Sequence, residues 1–328
     1  MKVRTSDVFE AMAADLVLVD RRLGEAAKVD FPMVSPLIEG LINTGGKRLR
    51  PLLLLLSAKG FTYDLDRAVT AAAGVELLHT ASLVHDDNID RAALRRGIPT
   101  LNTQLSAGAV ILIGDYLFAQ SAILAAATES TRVVAIFAST LADICDGQLR
   151  ETLDAHRLTQ NVEDYEKRIY GKTAALFAGS AEMGAVIGQA PEASAQQLRE
   201  FGQDIGMAFQ IIDDVLDIRE GTQVLGKPAG NDLRQGVITL PVMLFLQQFA
   251  PQSPEVQTLQ AIVAGDETSD SVINDLVLKI RESGVLEESE TRATRFTDQA
   301  RHRINVVPDE ETRDFLFDVL DLAVNRSS

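Results

Sequence analysis

Cysteine is almost absent from this chain: Cys145 is the only one among 328 residues. That excludes an intrachain disulfide framework and fits a reducing compartment; a lone thiol on an apolar helical face is ordinarily core. Positive charge is also scarce. Lys and Arg number 31 against 47 Asp and Glu, a net charge of -16, so the basic footprint of a nucleic-acid binder is missing. An acidic protein that binds anions must gather its few cations locally, and the remaining acidity reads as solvated surface. No apolar segment of signal-peptide type follows Met1-Lys2-Val3-Arg4-Thr5-Ser6-Asp7, and a cytoplasmic location is expected. Long uninterrupted hydrophobic runs are lacking too. The most membrane-like window, 108–127, is broken by Asp115 and Gln120 and reads as a buried helix rather than a span. Strict alternation of apolar and polar residues is nearly absent, which argues against a sheet.

What is present is helical periodicity in a chain that is 46% hydrophobic and 24% charged, ordinary values for a globular protein. Phe9, Met12, Leu16, Val19 and Leu23 follow the helical period behind a capping Ser6. A short helix ends near Thr44, where Gly45-Gly46 is a stop signal, and Pro51 with five leucines opens a buried helix to about Lys59. Asp64 starts a long helix toward residue 90. Further helices are expected over roughly 103–127, 130–153, 162–188, 192–220, 236–249, 269–283, 287–306 and 309–325. Gly, Pro and Asn cluster between them, and no low-complexity linker divides the chain. The expectation is an all-α fold in which 1–328 forms a single domain, its site drawn from distant helices.

Two acidic clusters stand out. Asp86, Asp87 and Asp90 end the apolar run that begins at Val75, and Asp213, Asp214 and Asp217 end the run Met207-Ala208-Phe209-Gln210-Ile211-Ile212. On a helix these acids crowd one face, at roughly 0.2–0.5 kcal/mol per like-charged pair, and a helix C-terminus adds to the penalty. A hard divalent cation, Mg2+ above all, offsets such crowding. One acidic triplet is common on a solvated helix face. Two, each closing a strongly apolar helix, are much harder to read as decoration. Cations lie between them: Gly45-Gly46-Lys47-Arg48-Leu49-Arg50-Pro51, Arg95-Arg96, Gly171-Lys172-Thr173 and Gly226-Lys227-Pro228. Singly each is an ordinary surface charge; together they suit a highly phosphorylated substrate and several Mg2+ ions.

These motifs, in this order and spacing, resemble those of the trans-isoprenyl diphosphate synthases. The resemblance runs from the helix before Gly45 to Phe315-Leu316-Phe317-Asp318-Val319-Leu320-Asp321. It implies a bundle of about ten or more helices around a deep central cavity, a homodimer, and Mg2+-dependent 1'-4 condensation of isopentenyl diphosphate with an allylic diphosphate primer. It assigns Asp86, Asp87, Asp90, Asp213, Asp214 and Asp217 to Mg2+, three ions per site. Lys47, Arg50, His79 and Arg96 match positions that hold isopentenyl diphosphate; Arg95, Lys172, Thr173, Gln210 and Lys227 match positions around the allylic diphosphate. Asp86, Asp90, Lys172, Asp213 and Lys227 are the expected catalytic set, and His85 is read as supporting or packing. One departure is that many members carry a lysine where this chain has Val237, in Gly236-Val237-Ile238-Thr239-Leu240-Pro241; Arg234 is a candidate substitute.

The helix before Asp86 reads as a ruler for product length. Ser82 and Ala81 precede Asp86 on roughly its own face, with Leu78 and Gly74 on the following turns. One turn rises about 5.4 Å, close to an isoprene unit, so small residues here imply a deep tunnel and a product of roughly C30 to C50. Short-chain relatives carry bulky aromatics at these two positions. Phe137 is a candidate floor. The plain alternative is that Ala81 and Ser82 only permit close helix packing. Competing functions are a geranylgeranyl- or farnesyl-length synthase, a metal phosphohydrolase using His79, His85-Asp86 and a distant Asp, a class I terpene cyclase, and a silent subunit of a heteromeric synthase. Contact with a membrane surface for product release is a further expectation.

Overall fold

A computed structural model describes residues 7–43, 46–95, 97–158, 161–219 and 229–325. The fold is all-α; the described strands are a two-residue antiparallel pair, β1 (Leu94–Arg95) and β2 (Ile98–Pro99). By packing, the chain divides into two compact units, 1–141 with 176–202 and 300–325, and 142–175 with 203–299. The boundaries fall inside helices, not in linkers.

The first unit contains α1 (Asp7–Ala11), α2 (Ala13–Ala26), α3 (Ser35–Asn43), α4 (Leu49–Lys59), α5 (Leu65–Ile89) and α6 (Ala107–Ala127). It also holds the first half of α7 (Thr131–Asp154), nearly all of α9 (Ala175–Ile187), the start of α10 (Glu192–Arg219), and α16 (Glu310–Val324). α5 is its axis. Every residue from 68 to 78 is buried, as a helix that is apolar all round must be. Asp64 caps it by accepting the Arg67 N–H. Leu52, Leu53, Leu54, Leu55 and Leu56 of α4 are all fully buried.

The second unit holds the rest of α7 and α10, α8 (Val162–Ile169), a π-helical turn (Tyr170–Ala174), α11 (Asn231–Arg234), α12 (Leu240–Leu246), α13 (Pro254–Ala264), α14 (Asp270–Glu282) and most of α15 (Val285–Arg303).

Several boundaries differ from the periodicity. The first helix breaks at Met12, whose ψ of 5° leaves the helical range. The helix expected over 162–188 is interrupted by the π-turn. The one expected over 236–249 is reduced to α12, because Gly236 at φ 74° cannot continue a right-handed helix. α13 was not foreseen, although Ser253, Pro254 and Gly265 punctuate it at both ends. α6 matches the most membrane-like window and is long and apolar enough to cross a membrane, with 39% of that window buried. One face packs along α5; Ile111, Leu112 and Ile123 on the other are exposed.

Candidate active site

In the first unit, the last turns of α5 carry Asp86, half-exposed, and Asp90, exposed, one turn apart. Asp87 is buried, and a buried carboxylate needs a partner. Arg95, on β1, supplies it: its Nε donates to Asp87 Oδ1 at 2.8 Å. The backbone carbonyl of Asp87 accepts from Asn102 Nδ2 at 2.6 Å and from Ala92 N at 2.9 Å. Arg91, in the left-handed region at φ 50°, ends the helix and starts this return. The like-charge strain expected at the helix end is thus met, at Asp87, by a guanidinium eight residues on.

His85 tethers α5 to α6. Its Nε2 lies 3.1 Å from the Ile111 carbonyl and 3.4 Å from Asp115 Oδ1, and its ring meets the Phe118 edge at 5.0 Å. Only glycine fits beneath it, since a Cβ on Gly114 would come within 2.2 Å of that nitrogen.

Toward the middle of α5, Arg50 and His79 come together, with Nη1 3.2 Å from Nε2. The Arg50 guanidinium also lies 4.3 Å over the Phe177 ring. Lys47 is exposed beside them in sequence. On either side of His79 in sequence, Leu78 and Ala81 are fully buried; Ser82 is half-buried and donates its hydroxyl to the His79 carbonyl at 2.8 Å. Phe137 is buried in the same unit.

In the second unit, Asp213 and Asp217 of α10 are half-exposed and Asp214 is buried. A hydrogen-bonded chain fixes Asp214. Thr173 donates its hydroxyl to Gln210 Oε1 at 2.7 Å, Gln210 Nε2 donates to Asp214 Oδ1 at 2.8 Å, and the Tyr165 hydroxyl donates to Asp214 Oδ2 at 2.7 Å. Burial pushes the Asp214 carboxyl up to about 7, against the lowering pull of Gln210, Tyr165 and Arg168. Asp217 accepts the backbone N–H groups of Asn231 and Asp232 at 3.1 and 3.2 Å, capping α11 from a distance. Asp232 is itself held well above the usual carboxylate range, first by burial and then by Asp217 and Asp214.

Lys172 sits on the π-turn and pairs with Glu151 of α7. That turn crosses α7 so closely that a Cβ on Gly147 would lie 2.2 Å from the Lys172 nitrogen, and one on Gly171 would lie 2.5 Å from the Asp143 carbonyl. π-turns inside helices recur at functional sites. Near Val237, Arg234 is directed to Asp270 and Asn274 of α14, while the buried Arg168 donates to the Ile238 carbonyl at 2.5 Å.

Arg96 and Lys227, with Gly45, Gly226 and Pro228, lie outside the described residues. Among the described residues, no three His, Cys, Asp or Glu side chains form a ready metal-binding group. The donors present are carboxylate oxygens, which suit a hard cation that keeps its waters and uses one or two carboxylates plus substrate phosphates.

The sequence profile of polyprenyl synthetases matches residues 32–280. The chain belongs to the polyprenyl synthetase family. It is a prenyltransferase, and relatives among the curated proteins are named as hepta-, octa- and nonaprenyl diphosphate synthases. It is 37% identical over 312 residues, 95% of this chain and 96% of the other, to heptaprenyl diphosphate synthase component 2 of Geobacillus stearothermophilus. Among solved structures, a polyprenyl synthase from Caulobacter crescentus CB15, complexed with calcium and isoprenyl diphosphate, superimposes with a TM-score of 0.94. That protein is 32% identical, and the match covers 100% of this chain and 99% of the other. A decaprenyl diphosphate synthase from Rhodobacter capsulatus gives 0.92 at 34% identity, covering 99% of each chain.

Sequence reasoning did not single out Glu151, Tyr165, Arg168 or Asp232, and placed Arg48 only within its turn. Glu151 and Tyr165 sit on otherwise ordinary amphipathic stretches and carry no signal of their own. Asp232 could have been suspected from its place shortly after Gly226-Lys227-Pro228.

Proposed function

We propose that this polyprenyl synthetase condenses isopentenyl diphosphate, head to tail, with an allylic diphosphate primer to give an all-trans product of roughly C30 to C50. The observation that carries the reading is the layout of α5. Within one helix it presents His79 paired with Arg50, then the small Ala81 and Ser82, then Asp86 and Asp90 at its end.

In this reading Lys47, Arg50, His79 and Arg96 hold isopentenyl diphosphate, and Arg95, Lys172, Thr173, Gln210 and Lys227 surround the allylic diphosphate. Asp86, Asp87, Asp90, Asp213, Asp214 and Asp217 hold a divalent cation, Mg2+ in three copies, which when bound neutralises the departing diphosphate. The guanidinium and ammonium groups take up charge on the same leaving group as the allylic C–O bond breaks. The turn of Lys47 and Arg50 keeps the double bond of isopentenyl diphosphate close to the resulting cation, and apolar helix faces exclude water from it. Loss of a proton to the released diphosphate restores the alkene. Ala81 and Ser82 leave room for the growing chain.

The exposed Ile111, Leu112 and Ile123 of α6 support a homodimer in which this face meets a second copy. A cytoplasmic enzyme touching the membrane surface to release its product completes the picture.

The test incubates purified protein and Mg2+ with isopentenyl diphosphate and primers of increasing length, and sizes the products by mass spectrometry. Elongation to a long product is expected, and Ala81→Phe shortens it. No elongation with any primer overturns the reading; an unchanged length in Ala81→Phe removes the ruler. A second reading, a synthase that needs a different second subunit, draws on the Geobacillus relative being named a component. Activity of the chain alone separates the two.

A further inference from the structure

We propose that the part-buried ion pair between Arg48 and Glu76 positions the Lys47–Arg50 turn on α5, and so governs isopentenyl diphosphate binding without touching the substrate. The inference rests on the reading of Lys47, Arg50 and His79 given above.

Arg48 is held at three points. Its Nη1 donates to Glu76 Oε1 at 2.7 Å, its Nη2 to the Ile42 carbonyl at 2.8 Å and its Nε to Asp20 Oδ1 at 3.1 Å. The Arg48 and Glu76 side chains are 13% and 7% exposed. The backbone of Arg48 is left-handed, φ 51° and ψ 35°, a region that non-glycine residues rarely occupy. Such a conformation persists where the surroundings over-determine it, as these contacts do. It turns the Arg48 side chain inward while Lys47 stays exposed and Arg50 reaches His79.

Glu76 and His79 are three apart on α5, hence neighbours on one face. The helix therefore grips the turn at consecutive points, through Arg48 and through Arg50. A buried ion pair is a poor device for stability alone, since an apolar pair serves as well; its attested use is to fix a register. Asp86 lies ten residues beyond Glu76 on the same helix, about 15 Å along its axis. The grip at Glu76 thus sets how far the isopentenyl diphosphate turn stands from the allylic cluster. Misplacement by about 1 Å is enough to cost catalysis heavily.

The experiment compares wild type, Arg48→Met/Glu76→Leu, Arg48→Lys and Glu76→Gln for Tm, kcat and both KM values. The double variant is expected to keep a cooperative unfolding transition and to raise KM for isopentenyl diphosphate about tenfold, with KM for the allylic primer within roughly twofold of wild type. Arg48→Lys, which keeps the charge but loses the three-point geometry, should fall between. An unchanged KM for isopentenyl diphosphate in a folded variant overturns the inference, as does an equal rise in both KM values. If the double variant does not fold, the two single variants decide by the same ratio. Wild type that elongates no primer defeats the functional reading; wild type that elongates, with variants indifferent in KM, defeats only this inference.

Discussion

Asp87 and Asp214 are each the second acid of an Asp-Asp-x-x-Asp cluster, and both are buried, at 8% and 3% exposure. The protein provides for them differently. Asp87 is met by the guanidinium of Arg95. Asp214 is met by a phenol and an amide, Tyr165 and Gln210, and burial carries its carboxyl up to about 7. The same sequence pattern at nearly the same depth therefore yields an ion pair in one cluster and a carboxyl poised near neutrality in the other. Burial raises the Asp214 carboxyl more than Gln210, Tyr165 and Arg168 lower it, whereas Asp87 has a guanidinium directly against its carboxylate.

The strongest way to break this comparison is to remove the outward acid of each cluster. Asp86→Asn and Asp213→Asn should each lower kcat on the order of 10³-fold, the scale of losing one aligned charge-stabilising group. A steady-state assay in which one cluster tolerates the change would show that the two do not share the work.

At the buried positions, Arg95→Met strands a charge, and Tyr165→Phe removes only a neutral donor. Breaking a fully buried ion pair costs about 3–5 kcal/mol; because Arg95 is 38% exposed, about 2 kcal/mol is expected. Tyr165→Phe should cost about 1–2 kcal/mol. Urea unfolding of the metal-free protein measures both, and a reversed order would mean that the Arg95 pair is solvated in practice.

The pH dependence sharpens the contrast further. Asp214 has a folded value of about 7 against an unfolded 3.8, so between these limits the native state binds the extra proton and stability falls as pH rises. Asp214→Asn removes that dependence. Relative to wild type, the metal-free variant should gain roughly 3 kcal/mol between pH 5 and pH 8, seen as a widening Tm difference. A constant difference would place the Asp214 carboxyl in its ordinary range. The smallest effect is expected from Gly114→Ala, which displaces His85 from α6 and should lower Tm while leaving KM for both substrates nearly unchanged.

Much of this was legible in the chain. Helical periodicity and start signals such as Asp64 indicate an all-α fold, and the prenyltransferase reading comes from the resemblance carried by the ordered motifs. Less legible were elements held by contacts distant in sequence. The break at Met12 and the π-turn at Tyr170–Ala174 interrupt good helical patterns. In the second case Gly147 and Gly171 let two backbones touch, a spacing that periodicity does not encode. α13 was missed for a different reason: its start and stop residues, Ser253, Pro254 and Gly265, are also ordinary loop residues.

By itself the sequence supplied the candidates for the chemistry, because the side-chain inventory limits what can bind diphosphate and a hard cation. It also indicated the long helices that end in the two acidic clusters, because period and capping are local. Only the tertiary structure decided the partners. Arg95 is set against Asp87, Tyr165 against Asp214, Glu151 against Lys172 and Glu76 against Arg48. The physical reason is that desolvation and pairing depend on which groups share an interior, and those groups lie from 8 to 49 residues apart along the chain.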